Sequence, residues 1–308
     1  MVRSSFALMV GLLLLASGCG NSTRRPVRPG TDSGISPTSD SGVDTGTVHP
    51  PPTDGGTPVG DCSEAARWIY VVDSDGSLVR FEPDTLSFTR VGTLDCPAVS
   101  AETPFSMAVD RNANAWVLYS DGHVFSVSTS DAHCTATSFA PNQAGFEVFG
   151  MGFASNAAMS TDETLFVAGG PSSMIGSGAN LGTINTSSLA LTSIGGLPGW
   201  PELTGTGLGE LWGFFPQTSP ASVRQIDKAS GSTSRNFPLS AIDTTLTQAW
   251  AFAFWGGRFY IFIQAFLDTS TNVWRLDPTD GSVTEVVHDS GFRIVGAGVS
   301  TCAPVELI

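Results

Sequence analysis

Gly150-Met151-Gly152-Phe153 sets two small residues at alternate positions and follows the pair with a hydrophobic one. The signature returns at Ser106-Met107-Ala108-Val109, Gly205-Thr206-Gly207-Leu208, Ala251-Phe252-Ala253-Phe254 and Gly296-Ala297-Gly298-Val299. The steps between copies are 44 to 55 residues. Self-similarity of that period belongs to propellers and solenoids.

The residues after each copy narrow the choice. Aromatic-rich runs come next: Trp116-Val117-Leu118-Tyr119, Leu165-Phe166-Val167, Leu211-Trp212-Gly213-Phe214-Phe215 and Phe259-Tyr260-Ile261-Phe262-Ile263. A fifth run, Trp68-Ile69-Tyr70-Val71-Val72, stands at the other end of the chain. Each unit continues with apolar residues three apart, such as Leu78/Phe81 and Val273/Leu276. A polar turn follows, then a Thr- and Ser-rich segment at 87–91, 135–139, 189–194, 232–237 or 282–287. Short β-branched and aromatic runs bounded by turn residues are strands, and Asp75-Gly76 and Asp121-Gly122 fit tight hairpins. Four strands in each of five units predict an all-β chain, a five-bladed β-propeller of four-stranded antiparallel blades. The small residues then face the crowded axis, and the aromatic second strands pack between blades. A solenoid needs caps at two open ends, and none is evident.

The register is permuted. The first unit lacks its small-residue strand, and the last small-residue strand, 294–299, lacks its followers. One blade is therefore shared between the chain ends, which closes the ring and pairs strands that would otherwise be free edges. The cysteines fit this closure. Cys62 lies six residues before Trp68 and Cys302 three after Val299, a gap that one hairpin fills in the other blades. A Cys62–Cys302 bridge stands in for that hairpin, and Cys96–Cys134 follows by elimination. With no CxxC or HxxxH spacing, disulfides outweigh a metal site, and no metal or cofactor is expected.

The 308 residues carry 14 basic and 28 acidic side chains, a formal charge of −14. Residues 62–308 hold 10 and 23 of these. Such a surface repels nucleic-acid phosphates and anionic headgroups, so nucleic acid is excluded as a partner. Hydrophobic content of 41% allows a sizeable core, while the abundance of Gly, Ser and Thr suits strands and turns.

The N-terminus is a different material. Arg3, an apolar stretch from Phe6 to Ala16, and Ala16-Ser17-Gly18-Cys19 form an export signal. These residues resemble a bacterial lipoprotein signal with its lipobox, although Ala16 stands where leucine is commonest. The resemblance implies a signal peptide over 1–18, lipidation of Cys19 and membrane anchoring, with the outer membrane or cell surface favoured because Gly20 is not aspartate. An ordinary secretory signal is the alternative. Residues 19–61, rich in Pro, Gly, Ser, Thr and Asp, read as a disordered tether. Residues 62–308 form the propeller and resemble the generic propellers of exported lipoproteins.

No specific catalytic signature occurs. Gly205-Thr206-Gly207-Leu208-Gly209 imitates a dinucleotide loop but lies inside the repeat with no helix after it. Asp73-Ser74-Asp75-Gly76 imitates the start of a calcium loop and is better explained as a hairpin. The candidate site is geometric. Segments leading into the innermost strands gather at one mouth of the channel, bringing Phe146, Trp200, Gln248, Trp250 and Arg293 as binding residues. Aromatics with carboxylates and an amide suit a sugar or a peptide side chain. Trp200 and Trp250 equally well cap blade cores. The functional expectation is a lipid-anchored envelope module that binds a protein or glycan without catalysis. The alternative is an envelope hydrolase or lyase on carbohydrate, with Glu147 and Glu202 as its carboxylates.

Overall fold

The computed structural model describes residues 62–98 and 101–306. The expected signal peptide, Cys19 and the tether lie outside the described residues. Blade 1 contains β1 (Ile69–Asp73), β2 (Ser77–Glu82) and β3 (Ser87–Thr93). Blade 2 is β4 (Pro104–Val109), β5 (Asn114–Tyr119), β6 (Val124–Ser128) and β7 (Cys134–Ala136). Blade 3 is β8 (Val148–Ser155), β9 (Glu163–Gly170), β10 (Ala179–Ile184) and β11 (Leu191–Leu197). Blade 4 is β12 (Glu202–Gly205), β13 (Leu211–Phe215), β14 (Ser222–Ile226) and β15 (Thr233–Pro238). Blade 5 is β16 (Ala249–Trp255), β17 (Arg258–Gln264), β18 (Asn272–Leu276) and β19 (Val283–Val287). The last strand, β20 (Ile294–Gly298), joins blade 1 in the order β20-β1-β2-β3.

The chain is thus a five-bladed β-propeller of four-stranded antiparallel blades, closed by a blade built from both chain ends. Tyr70 pairs with Gly298, Val71 with Ala297 and Val72 with Gly296. Innermost strands β4, β8, β12, β16 and β20 each pack on two neighbours, and the ring returns from β20 to β4. Burial falls outward: β1, β8 and β16 are almost wholly buried, whereas β3, β15 and β19 are largely half-buried or exposed. That gradient explains the composition, aromatic and aliphatic inside, Thr- and Ser-rich outside.

The core lies between the blades. Trp212 of blade 4 meets Phe259 of blade 5 at 4.9 Å between ring centres, and Phe81 of blade 1 meets Phe262 of blade 5 at 5.5 Å. Contacts of this kind add to the burial energy that holds blade on blade. Two disulfides staple the ring. Cys62–Cys302 spans 240 residues, with Cα atoms 5.9 Å apart. Cys96–Cys134 joins the outer edges of blades 1 and 2.

One repeat sits differently from its sequence reading. In blade 4 the innermost strand is Glu202–Gly205, and Gly207 and Leu208 fall in the following turn. Ladder partners align the copies: Ser106 and Ala108, Gly150 and Gly152, Ala251 and Ala253, and Gly296 and Gly298 correspond to Glu202 and Thr204. The physical reason is that Gly205 is itself a tight spot. A Cβ there would lie 2.1 Å from the Phe153 carbonyl oxygen of blade 3, so its smallness reports crowding between neighbouring innermost strands. The small positions relieve inter-blade approach rather than only congestion at the axis. The register shift has a consequence: blade 4 places a glutamate where the other four blades place Ser, Gly, Ala and Gly.

Candidate functional site

All five innermost strands run in the same direction through the ring. Their first residues surround one mouth and their last residues the other. The first mouth opens into a cavity of about 430 Å³. Its wall takes Phe105 from β4, Gln248 and Trp250 from the entry to β16, Arg293 and Val295 around the start of β20, and Ser74 and Asp75 from the β1–β2 turn. Glu202 forms its floor, with 4% of its surface exposed.

Glu202 reaches across the ring. Its Oε2 accepts a hydrogen bond of 2.9 Å from the Ser106 hydroxyl of blade 2, although blade 3 stands between blades 2 and 4. The reach is open because blade 3 presents Gly150: a Cβ there would come within 3.1 Å of the Glu202 carboxyl carbon and 2.5 Å of the Pro201 carbonyl oxygen. The Ser106 oxygen in turn accepts from the Met151 amide at 3.2 Å. Loss of solvation by burial pushes the Glu202 carboxyl well above the ordinary carboxylate range, outweighing the bonds from Ser106 and Met151. The floor of the cavity is therefore a carboxyl group withdrawn from water and bonded to the Ser106 hydroxyl.

Arg293 is placed by the closure of blade 1. Its carbonyl accepts from the Ser74 amide at 2.9 Å, and its guanidinium donates to the Gln248 carbonyl at 3.1 Å. Gln248 is held in turn by its amide on the Gln264 carbonyl, 2.8 Å. Asp75 sits in a turn capped by Asp73, whose Oδ1 accepts from the amides of Asp75 and Ser77 at 3.0 and 2.7 Å. Those bonds account for the calcium-like spelling, and the described residues contain no cluster of three metal-ligating side chains.

Among the expected site residues, Gln248, Trp250, Arg293 and Glu202 come together at this cavity, joined by Phe105. Phe146 and Trp200 do not line it. Each is 1% exposed in the core that blade 3 shares with blades 2 and 4. Their flanking segments turn inward to cover the blade interfaces, where a large ring gains more from burial than at a rim. The Trp200 indole N–H is buried with no hydrogen-bond partner among the described residues. Glu147 is also absent from the cavity wall. The amide and hydroxyl of Ser172 hold its carboxylate below the usual range, at 2.9 and 2.7 Å. Asp75, Ser74 and Thr103 line the cavity although sequence reasoning passed over them. The signal for the first two lies in the closure itself, since pairing β20 beside β1 carries the Asp75 turn next to Arg293.

The chain matches no protein-family model and no curated protein sequence. It is similar in structure to a chain of the nidogen/laminin complex, at 10% identity over 75% of this chain and 97% of that one, TM-score 0.45. It is also similar to TolB from Acinetobacter baumannii, at 12% identity over 74% of this chain and 54% of that one, TM-score 0.44. The extracellular domain of a one-component system from B. thetaiotaomicron gives 12% identity over 73% of this chain and 29% of that one, TM-score 0.39. These likenesses concern the propeller fold alone.

Proposed function

We propose that this chain is an exported, lipid-anchored cell-envelope protein whose propeller binds a protein or glycan at the Glu202 mouth without catalysing a reaction. The observation that carries the reading is the asymmetry of the channel. One end opens into a cavity walled by aromatic, amide, carboxyl and guanidinium groups, and the other is closed by the chain ends. A rigid ring presenting loops around a cavity is a binding platform. Two disulfides fit an oxidising compartment, and the Ala16-Ser17-Gly18-Cys19 signature supports anchoring through Cys19. No helix among the described residues is long and apolar enough to cross a membrane.

Two experiments test this. Cys19→Ala releases the protein from the membrane fraction; an unchanged fraction overturns the anchor. A photo-crosslinking residue at position 248 captures a partner in intact cells, whereas one at position 280, on the far end of blade 5, does not. Capture only from position 280 overturns the mouth as the site. The hydrolase reading retains Glu202 at the cavity floor but loses Glu147 from the cavity. It gains ground only if Glu202→Gln abolishes turnover of an envelope glycan that still binds.

A further inference from the structure

We infer, on the reading that the Glu202 mouth is a binding site, that its occupant is a polypeptide segment. This segment sets a lysine or arginine side chain into the axial cavity and a neighbouring large apolar side chain into a groove on blade 5. The first half of the inference rests on charge. The cavity floor is the Glu202 carboxyl, bonded to a serine hydroxyl rather than to a cation. Asp75 joins it from the wall, and Trp250 and Phe105 supply aromatic surface of the kind that favours cations. Around this mouth the loops between strands carry Asp75, Glu102, Asp121, Asp243, Asp268 and Asp289. The only Lys or Arg in those loops is Arg293, whose guanidinium is already directed to the Gln248 carbonyl. An anionic polymer is repelled by that field, and a neutral glycan gains nothing from it.

The second half rests on apolar exposure. A groove of about 460 Å³ runs beside the cavity and is lined by Ile242, Leu246, Ile263, Phe266, Leu267 and Trp274, among others. Leu246, Phe266 and Leu267 are 68%, 64% and 89% exposed. Leu246 also adopts φ 55°, a left-handed conformation that L residues with a side chain avoid. The side chain of this leucine is mostly in solvent, so its exposure and backbone conformation point to a contact outside the chain. Cavity and groove share one short segment. Leu246 lines the groove and Gln248 the cavity, two residues or at most roughly 7 Å apart along the chain. The Gln248 side chain fastens the segment by donating to the Leu246 carbonyl at 3.2 Å. An extended peptide with a basic and an apolar residue one or two positions apart therefore reaches both.

The test is selection of linear peptides from an unbiased display library on the full-length protein, followed by affinity measurement with the enriched peptide and its Arg→Gln form. Enriched sequences are expected to carry Lys or Arg within two positions of Leu, Phe or Trp. Glu202→Gln weakens the basic peptide by about tenfold or more and leaves the Arg→Gln peptide unchanged. Asp75→Asn moves affinity in the same direction and serves as the second variant. Phe266→Ser with Leu267→Ser weakens binding about fivefold or more while retaining the Glu202 dependence. Enriched peptides without a basic residue, no enrichment at all, or equal binding by both carboxyl variants overturns the inference. Glycan binding that is lost in Trp250→Ala, with no peptide enriched, overturns it while leaving the mouth as a binding site. Binding of either ligand that is indifferent to Trp250→Ala removes the mouth as well.

Discussion

The two ends of the channel hold one glutamate each, buried at one end and half-buried at the other, in opposite company. At the open end Glu202 lies across Gly150 with Ser106 as its side-chain partner, beneath a cavity and among exposed apolar loops. At the closed end Glu163 sits in a lattice of fixed partners. Its Oε1 accepts from the Arg111 amide at 2.9 Å and its Oε2 from the Thr301 hydroxyl at 2.8 Å. The Arg111 guanidinium donates to Thr301 and to Cys62 at 3.0 and 3.1 Å, and the Ser300 hydroxyl to the Ala66 carbonyl at 2.6 Å. Trp255 adds a bond from its indole N–H to the Arg67 carbonyl, 2.8 Å. Residues from both chain termini converge here around Cys62–Cys302. One end holds the ring closed, and the other is left open around the cavity. Substitutions at the closed end should therefore move stability, and those at the open end binding.

The largest expected effect breaks the closed end. Removing the Cys62–Cys302 bridge by Cys62→Ser with Cys302→Ser costs up to about 5 kcal/mol in the chain-entropy account, because it frees a very long loop. Removing Cys96–Cys134, with its separation of 38, costs about 4 kcal/mol by the same account. Urea unfolding of the oxidised variants measures both, and a smaller loss for the longer loop contradicts the assignment of closure to Cys62.

Next comes pH. Burial raises the Glu163 carboxyl from 4.5 to about 7, against the opposing bonds from Arg111 and Thr301. The folded state holds this proton more tightly than the unfolded chain does. Stability from this group is present below about 4.5 and falls as pH rises toward 7, by up to about 3 kcal/mol. Glu163→Gln flattens that slope, so unfolding at pH 5 and pH 8 should differ less in the variant than in the parent. Parallel pH profiles for the two proteins remove Glu163 as the cause.

At the open end, Gly150→Ala tests the path of Glu202. A methyl there meets the Pro201 carbonyl and the Glu202 carboxyl, so a loss on the order of 2 kcal/mol and weaker mouth binding are expected. Unchanged binding places Glu202 outside recognition. Smallest of all is Leu246→Gly, which relieves the positive φ and should leave stability level or higher by up to about 1 kcal/mol while weakening peptide binding. A substantial loss of stability shows that Leu246 serves the fold after all.

The propeller, its shared blade and both cysteine pairs were legible in the sequence because each follows from period and composition. Alternating small residues and aromatic runs recur, and Cys62 and Cys302 flank the missing hairpin. The site was less legible, for local reasons. Gly205-Thr206-Gly207 spells the small pair again from the last residue of the true strand into the turn after it, which hid Glu202 from its place in the ring. With Glu202 restored, the steps between copies become 44, 52, 49 and 45 residues. Phe146 and Trp200 lie beside segments that lead to the mouth, and nothing in a loop sequence says whether an aromatic turns outward or into the blade interface. Asp75 was accounted for as a hairpin residue, and only the pairing of β20 with β1 brings it to the cavity.

That pairing also sets an order of events. A chain delivered from its N-terminus presents β1 early, with the hydrogen-bonding edge that faces the axis bare and the Cys62 thiol unmatched. Neither finds its partner until β20 and Cys302 arrive, after every other strand has emerged. Closing a loop of that length makes the last step non-local and slow. The molecule must therefore spend the interval of its own synthesis as an incomplete ring, with an edge that a neighbouring chain or a chaperone can occupy first.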